Sequence, residues 1–340
     1  MQRILYLCFI DYSKAFDCIS HQYFENLMED MGFPGHGVKL ISTLYQDQEF
    51  SVRTSIGDSE WFQIGRGIIG EIIKRQTAMA QNSYHVVNPS DVTIEDKIGE
   101  GGFGEVYSAI WRMPDGHGTK IKVAMKRIAD AEKTNEIIFL SRIRHANILS
   151  YFGSYQEMTS LIMITELAEG DLATFLARVS SLPPPVIDRL IKEAAYGLQY
   201  LHECGLVHCD VKTQNYLLMA DKSLKLGDFG LAKQLDKTLS TVAKGTIKWM
   251  APEVFAALKR SKRSDVYSYG MVVWSICSTE VPFASWMQLD VMNAVKEGQR
   301  PVIPGGCHPL FRSVIETCWQ MDYKNRPTMD MVVQTLHTGK

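Results

Sequence analysis

From Asp91 to about Gly170 the chain reads as short β segments with a single helical stretch, and beyond Gly170 helices dominate. Val92–Ile98 leads into a glycine cluster. Glu105–Trp111 and Lys120–Arg127 then alternate apolar and polar residues, as hairpin strands do, around the turn Pro114-Asp115-Gly116. Glu132–Ile143 places Glu136 and Leu140 four apart on one helical face, and Ile148–Tyr155 and Leu161–Leu167 are again β-rich. In Val186–His202, the residues Ile187, Leu190, Ile191, Ala194, Leu198 and Leu201 fall at helical spacing, with Gly205 placed as a C-cap. Strands first and helices second predict an α+β fold: a small β-rich lobe on a larger, mainly helical lobe, with a ligand cleft between them.

The full chain has 340 residues, enough for such a two-lobed domain plus an extension. Residues 1–90 carry 7 Lys and Arg against 10 Asp and Glu, and the rest carries 29 against 28, so neither part is basic. That leaves no electrostatic footprint for nucleic acid or an anionic membrane. The seven cysteines are scattered, without a C-x-x-C pair and odd in number, which predicts reduced thiols and a cytoplasmic location. The apolar run Ile4–Ile10 is too short for a signal peptide or a membrane span, and no membrane insertion is expected. Turn formers at Gly65-Arg66-Gly67, Gln81-Asn82-Ser83 and Asn88-Pro89-Ser90 mark a linker, taken as residues 70–90.

Three groups of residues carry chemistry. Gly99, Gly101 and Gly104, in Gly99-Glu100-Gly101-Gly102-Phe103-Gly104-Glu105-Val106, let a backbone bend tightly and approach phosphate oxygens. Alone the pattern is weak; the strand-like run that follows disfavours dinucleotide binding, which would need a helix there. Lys126, in Val123-Ala124-Met125-Lys126, lies on a predicted strand, and Glu136 on the following helix is positioned to steady it. A lysine gripping phosphates needs a carboxylate to hold its flexible stem. The third group is His208-Cys209-Asp210-Val211-Lys212-Thr213-Gln214-Asn215, then Asp228-Phe229-Gly230, then Ala251-Pro252-Glu253. Phosphoryl transfer needs a carboxylate to orient the attacking hydroxyl, which suits Asp210, and oxygen ligands for Mg²⁺, which suit Asn215 and Asp228. Lys212 is spaced to meet the phosphoryl group in flight.

In this order and spacing, residues 91–336 resemble the eukaryotic protein kinase family. The resemblance implies a two-lobed kinase fold with an N-lobe at 91–168 and a C-lobe at 169–336, binding ATP and Mg²⁺. It implies nucleotide contacts at Ile98, Gly99, Gly101, Gly104, Val106, Ala124, Lys126 and Glu136, a gatekeeper at Thr165, and a hinge at Glu166, Leu167 and Ala168. Asp210 and Lys212 would be catalytic, with Asn215 and Asp228 as metal ligands. Asp265 and Arg326 match structural signatures of the large lobe. Lys212 resembles its counterpart in serine/threonine kinases, and the run Gly245–Met250 resembles the tyrosine-kinase-like group, which together imply serine/threonine kinase activity on protein substrates in signal transduction, under upstream signalling proteins. A pseudokinase scaffold and a dual-specificity or tyrosine kinase are the alternatives; Lys126, Asp210 and Asp228, whose loss usually marks a pseudokinase, are all present. One departure is Cys209, where the family carries an arginine that pairs with an activation-loop phosphate. Cys209 is expected as a buried thiol, with basal activity depending less on loop phosphorylation; Thr238, Ser240 and Thr241 remain candidate phosphosites.

Residues 1–69 carry a second resemblance. Phe9-Ile10-Asp11-Tyr12-Ser13-Lys14-Ala15-Phe16-Asp17, then Leu40–Tyr45 and Phe62–Gly67, resemble part of the palm of reverse transcriptases from non-LTR retrotransposons. Polymerase chemistry needs a second carboxylate motif, and no Tyr-x-Asp-Asp occurs in the chain. This partial segment is therefore expected to lack polymerase activity, and nucleic acid is not an expected partner.

Overall fold

The computed structural model describes residues 86–101, 104–128, 135–157, 160–234, 247–257 and 260–339, with four dipeptide strands between residues 49 and 63. The chain divides into two compact units, Met1–Ser83 and Tyr84–Lys340. In the first, β1 (Glu49–Phe50) pairs antiparallel with β4 (Phe62–Gln63), and β2 (Arg53–Thr54) with β3 (Gly57–Asp58). The palm-like motif around Asp11 and the run Leu40–Tyr45 lie outside the described residues.

The second unit begins with an antiparallel sheet of five strands: β5 (Val92–Gly101), β6 (Gly104–Arg112), β7 (Lys120–Ile128), β8 (Tyr151–Glu157) and β9 (Ser160–Glu166), in the order β5-β6-β7-β9-β8. Alternation decides what each face does. On β7, Val123 and Met125 are fully buried and join Ala109, Trp111, Tyr155, Ile162 and Ile164 in a small core. Ala124 and Lys126 therefore point to the other face, where Ala124 pairs with Thr165 and Lys126 with Met163 of β9. The tight β5–β6 connection requires Gly104, which has φ +127°; a Cβ there would lie 2.0 Å from the Arg127 carbonyl oxygen. The helix predicted over 132–143 is described as α1 (Asn135–Leu140), followed by a turn at Ser141 and Arg142. Its buried Ile137 and Leu140 pack with Ile128 and Met163 into the main core.

Past β10 (Gly170–Asp171) the chain is helical. Asp171 caps α2 (Leu172–Leu176) by accepting the Thr174 N–H at 2.9 Å. Helix α3 (Pro184–Glu203) starts on a proline at its first turn, buries Leu190, Ile191, Ala194, Leu198 and Leu201, and gives way to Gly205 at φ +74°. After α4 (Pro252–Ala257) comes α5 (Lys262–Ser278), which is buried nearly all round and so forms the centre of the lobe. Its start is fixed by a reciprocal cap between Ser261 and Ser264. Helices α6 (Gln288–Lys296), α7 (Pro309–Cys318) and α8 (Met329–Thr338) complete the lobe. Among the described residues no helix is long and apolar enough to cross a membrane.

Between α3 and α4 run four short strands: β11 (Leu206–Val207), β12 (Tyr216–Leu218), β13 (Leu224–Leu226) and β14 (Lys233–Gln234). β12 pairs with both β10 and β13, and β11 pairs with β14. They present the 208–215 and 227–232 loops.

Helix α3 comes so close to the Asn147 turn that a Cβ on Gly197 would lie 2.4 Å from the Asn147 carbonyl oxygen. That oxygen already accepts the Leu226 N–H at 2.9 Å. Gly197→Ala should therefore lower the unfolding free energy by about 2 kcal/mol, despite the better helix propensity of alanine. Denaturant titration of the full chain checks this; a stabilised variant would contradict the close approach.

Candidate active site

Four chain segments meet at the cleft side of the sheet. Lys126 of β7 donates to Glu136 of α1 at 2.7 and 3.0 Å, and lies 3.4 Å from Asp228. Glu136 is 2% exposed, and the Phe229 N–H donates to the same carboxylate. Burial alone would pull the Lys126 ammonium below its ordinary pKa, but the carboxylates of Glu136 and Asp228 outweigh it and the pKa is raised. Burial pushes the Glu136 carboxyl up, with the charge of Lys126 opposing. The lysine is thus held charged, its stem fixed, at the floor of the β5–β6 hairpin; Val106 pairs directly with Lys126 and Gly99 with Val106.

The 208–215 loop carries a second cluster. Asp210 is 7% exposed, and its Oδ2 accepts Lys212 Nζ at 2.6 Å. Asn215 Nδ2 donates to the Asp210 carbonyl at 2.7 Å and to Oδ2 at 3.3 Å, which leaves the amide oxygen as the acceptor available to a cation. The loop is pinned from beneath by Asp265 of α5, buried at 2% exposure. Its Oδ2 accepts the His208 N–H at 2.8 Å and its Oδ1 the Cys209 N–H at 3.0 Å, and His202 Nε2 lies 3.0 Å from Oδ2. His208 ties this loop to the next: Nδ1 accepts the Asp210 N–H at 3.3 Å, so Nε2 carries the proton given to the Gly227 carbonyl at 3.0 Å. Gly227 N–H returns a bond to the Asn215 carbonyl at 2.8 Å, and Phe229 packs edge-on against the His208 ring. Asp228 sits between them at φ +58°.

Ile98 is half exposed, Gly104, Val106 and Ala124 are partly buried, and Gly101 ends β5. Thr165 is 3% exposed and donates to the Glu166 carbonyl at 3.2 Å. Ala168 follows β9 and is partly buried. The Glu166 side chain is engaged elsewhere: it accepts the Ser150 N–H at 2.6 Å and Lys225 Nζ at 2.8 and 2.9 Å. Its carboxylate therefore fastens the end of β9 to the large lobe, so any nucleotide contact falls to the backbone. Cys209, expected as a buried thiol, is only partly buried; its φ of +70° and its carbonyl bond to Arg260 place it at the edge of the loop. Thr238, Ser240 and Thr241 lie outside the described residues.

Neither Lys225 nor Arg260 carries a signal in the sequence that marks its role. Lys225 alternates with Leu224 and Leu226, which puts it on the opposite face of a strand, but nothing local names Glu166 as its partner. Arg260 sits in Lys259-Arg260-Ser261-Lys262-Arg263, which reads as solvated charge.

Residues 92–336 match the family described as "Protein tyrosine and serine/threonine kinase". The chain is 32% identical over 256 residues to the probable serine/threonine-protein kinase drkD of Dictyostelium discoideum, a match covering 72% of this chain and 19% of that protein. It is 34% identical over 264 residues to the serine/threonine-protein kinase VIK of Arabidopsis thaliana, covering 72% and 59%. To the dual specificity protein kinase shkD of Dictyostelium discoideum it is 31% identical over 261 residues, covering 73% and 35%. The chain thus spans less than two thirds of the length of each of these relatives.

The Asp265 carboxylate tests how the loop is held. Asp265→Asn keeps the shape but sets an amide NH₂ against one of three donors and removes the charge. It should cost about 3 kcal/mol of stability in a chemical melt. An unchanged melt would mean the loop is held some other way.

Proposed function

Because the chain belongs to the protein tyrosine and serine/threonine kinase family, we propose that it transfers the γ-phosphoryl group of ATP to serine and threonine hydroxyls of protein substrates. The observation that carries the proposal is the closed Lys126–Glu136 pair, 2.7 Å long and 3.4 Å from Asp228. Residues from β7, α1 and the 227–229 segment are already assembled as phosphate binding requires. The catalytic loop presents Asp210, Lys212 and Asn215 as a second hydrogen-bonded set.

Each residue then has a role. Lys126, steadied by Glu136, grips the α- and β-phosphates beneath the glycine hairpin. Asp210 orients the substrate hydroxyl and accepts its proton as the oxygen attacks the γ-phosphorus and the bond to the ADP oxygen breaks. Lys212 neutralises charge on the transferring group. Among the described residues no cluster of three His, Cys, Asp or Glu side chains could hold a metal ion alone. The oxygens of Asn215 and Asp228 suit an ion that keeps waters and takes substrate phosphates as ligands, which describes Mg²⁺. When bound, Mg²⁺ screens the phosphate charge.

Serine/threonine preference rests on Lys212 and on the names of the relatives drkD and VIK. We further propose that residues 91–336 are the catalytic domain, with upstream signalling proteins as partners and residues 1–69 as a reverse-transcriptase-like remnant without polymerase activity. The free cysteines among the described residues support a cytoplasmic location.

The test is incorporation of γ-labelled phosphate into a generic basic protein by the full chain and by Asp210→Asn. Wild type should label serine and threonine, and the variant should fall by on the order of a hundredfold or more while still binding nucleotide. Label on tyrosine would move the assignment to dual specificity. Equal silence of both proteins, with nucleotide bound, would replace the enzyme by an ATP-binding scaffold.

A further inference from the structure

The Arg260 guanidinium donates to the carbonyl of Cys209, and the bond joins residues 51 apart in sequence. Arg260 immediately precedes Ser261, the N-cap of α5, whose reciprocal bonds with Ser264 fix the backbone at the base of the arginine. Asp265 of the same helix takes the Cys209 N–H. Both backbone polar groups of Cys209 are therefore held by one short stretch of chain, residues 260–265, anchored on the most buried helix of the lobe.

Two features make that grip consequential. First, Cys209 has φ +70°, a region where a residue with a Cβ is strained and persists only when its surroundings over-determine it. Second, the carbonyl held by Arg260 belongs to the Cys209–Asp210 peptide, so its orientation sets where the Asp210 carboxylate stands. The Cys209 side chain cannot serve in this way. It bears no cation, and its Sγ lies 3.6 Å from the Val207 carbonyl. Arg260, Cys209, Asp210, Trp249 and Ala251 line one open recess at this spot, and truncating Arg260 to alanine vacates the volume of its guanidinium there.

We propose that Arg260 is a positioning residue for phosphoryl transfer, which holds the Cys209–Asp210 peptide through its carbonyl and so keeps Asp210 aimed at the substrate hydroxyl. The inference rests on the kinase reading above and adds to it a cation contributed from the start of α5. It acts through the loop backbone and touches neither nucleotide nor substrate.

The experiment uses the full chain as wild type, Arg260→Met, Arg260→Lys and Arg260→Ala, the last with and without methylguanidinium. Initial rates are measured against ATP and protein substrate, normalised to nucleotide-binding sites. Hydrogen exchange is followed in the peptide spanning residues 207–211. Arg260→Met should lower kcat about tenfold or more, since small misplacements of a catalytic group are costly. Its KM for ATP should stay within about twofold, because Lys126 and Glu136 are untouched. Arg260→Lys should retain part of the rate, methylguanidinium should restore part of it to Arg260→Ala, and the 207–211 amides should exchange faster in Arg260→Met. A merely structural arginine would lower the number of nucleotide-binding sites without changing kcat per site, and would not be rescued by the free cation. Wild-type kcat per site in Arg260→Met, or exchange at 207–211 equal to wild type, would overturn the proposal. If wild type transfers no phosphate, the kinase reading fails separately. Exchange then decides the remainder: faster amides in Arg260→Met uphold the grip on the peptide, and unchanged ones refute it.

Discussion

The carboxylate of Asp265 is buried at the heart of the large lobe, and a charge so placed is tolerated only when its acceptor sites are filled. Here the donors are two successive backbone N–H groups of the 208–215 loop, with the His202 ring of α3 alongside. The need to satisfy one buried anion thereby fixes the path of the loop against two helices. From there the constraint is passed on by hydrogen bonds: the His208 ring to Gly227, Gly227 back to Asn215, and Asp228 to Lys126. Two residues of this hydrogen-bonded network, Cys209 at φ +70° and Asp228 at φ +58°, occupy a backbone region that disfavours side chains, at about 1–2 kcal/mol each. Their strain is offset by the network, which is why the polar contacts concentrate around them.

How much of this was legible in the sequence depended on how local each cause is. The strand and helix order followed from alternation and from 3.6-residue spacing, which are properties of neighbours in the chain. Val186–His202 read as a helix because six apolar residues share one face, and α3 spans Pro184–Glu203. The 132–143 helix rests on a single spacing, Glu136 to Leu140, and α1 is described over only Asn135–Leu140. The pairing of Lys126 with Glu136 was readable because both the charge logic and the strand–helix order lie within ten residues. The contacts of Asp265 were not: its partners are 56 to 63 residues away and two of them are backbone N–H groups, which carry no sequence signature.

Glu166 shows the same limit from the other side. The kinase resemblance places it in the hinge, and its carboxylate takes the Ser150 N–H and the Lys225 ammonium, 59 residues on. Lys225 belongs to β13 of the large lobe, so this partly buried ion pair joins β9 of the small sheet to the lobe that carries the 208–215 loop. A side chain at the end of β9 thus helps set how the lobes meet.

The cysteine at 209 brings these arguments together. Read within its own motif, it looks like the loss of a cation next to Asp210. Read in three dimensions, a guanidinium reaches the carbonyl of that very residue from Arg260, based on a capped and buried helix. An arginine on the loop moves with the loop and can exchange partners, whereas one rooted at the start of α5 has its base fixed by the Ser261–Ser264 bonds. A loop held in this way from below has less need of a phosphate to order it. On the proposal that Arg260 positions this loop, the compensation for Cys209 lies outside the motif in which the substitution occurs.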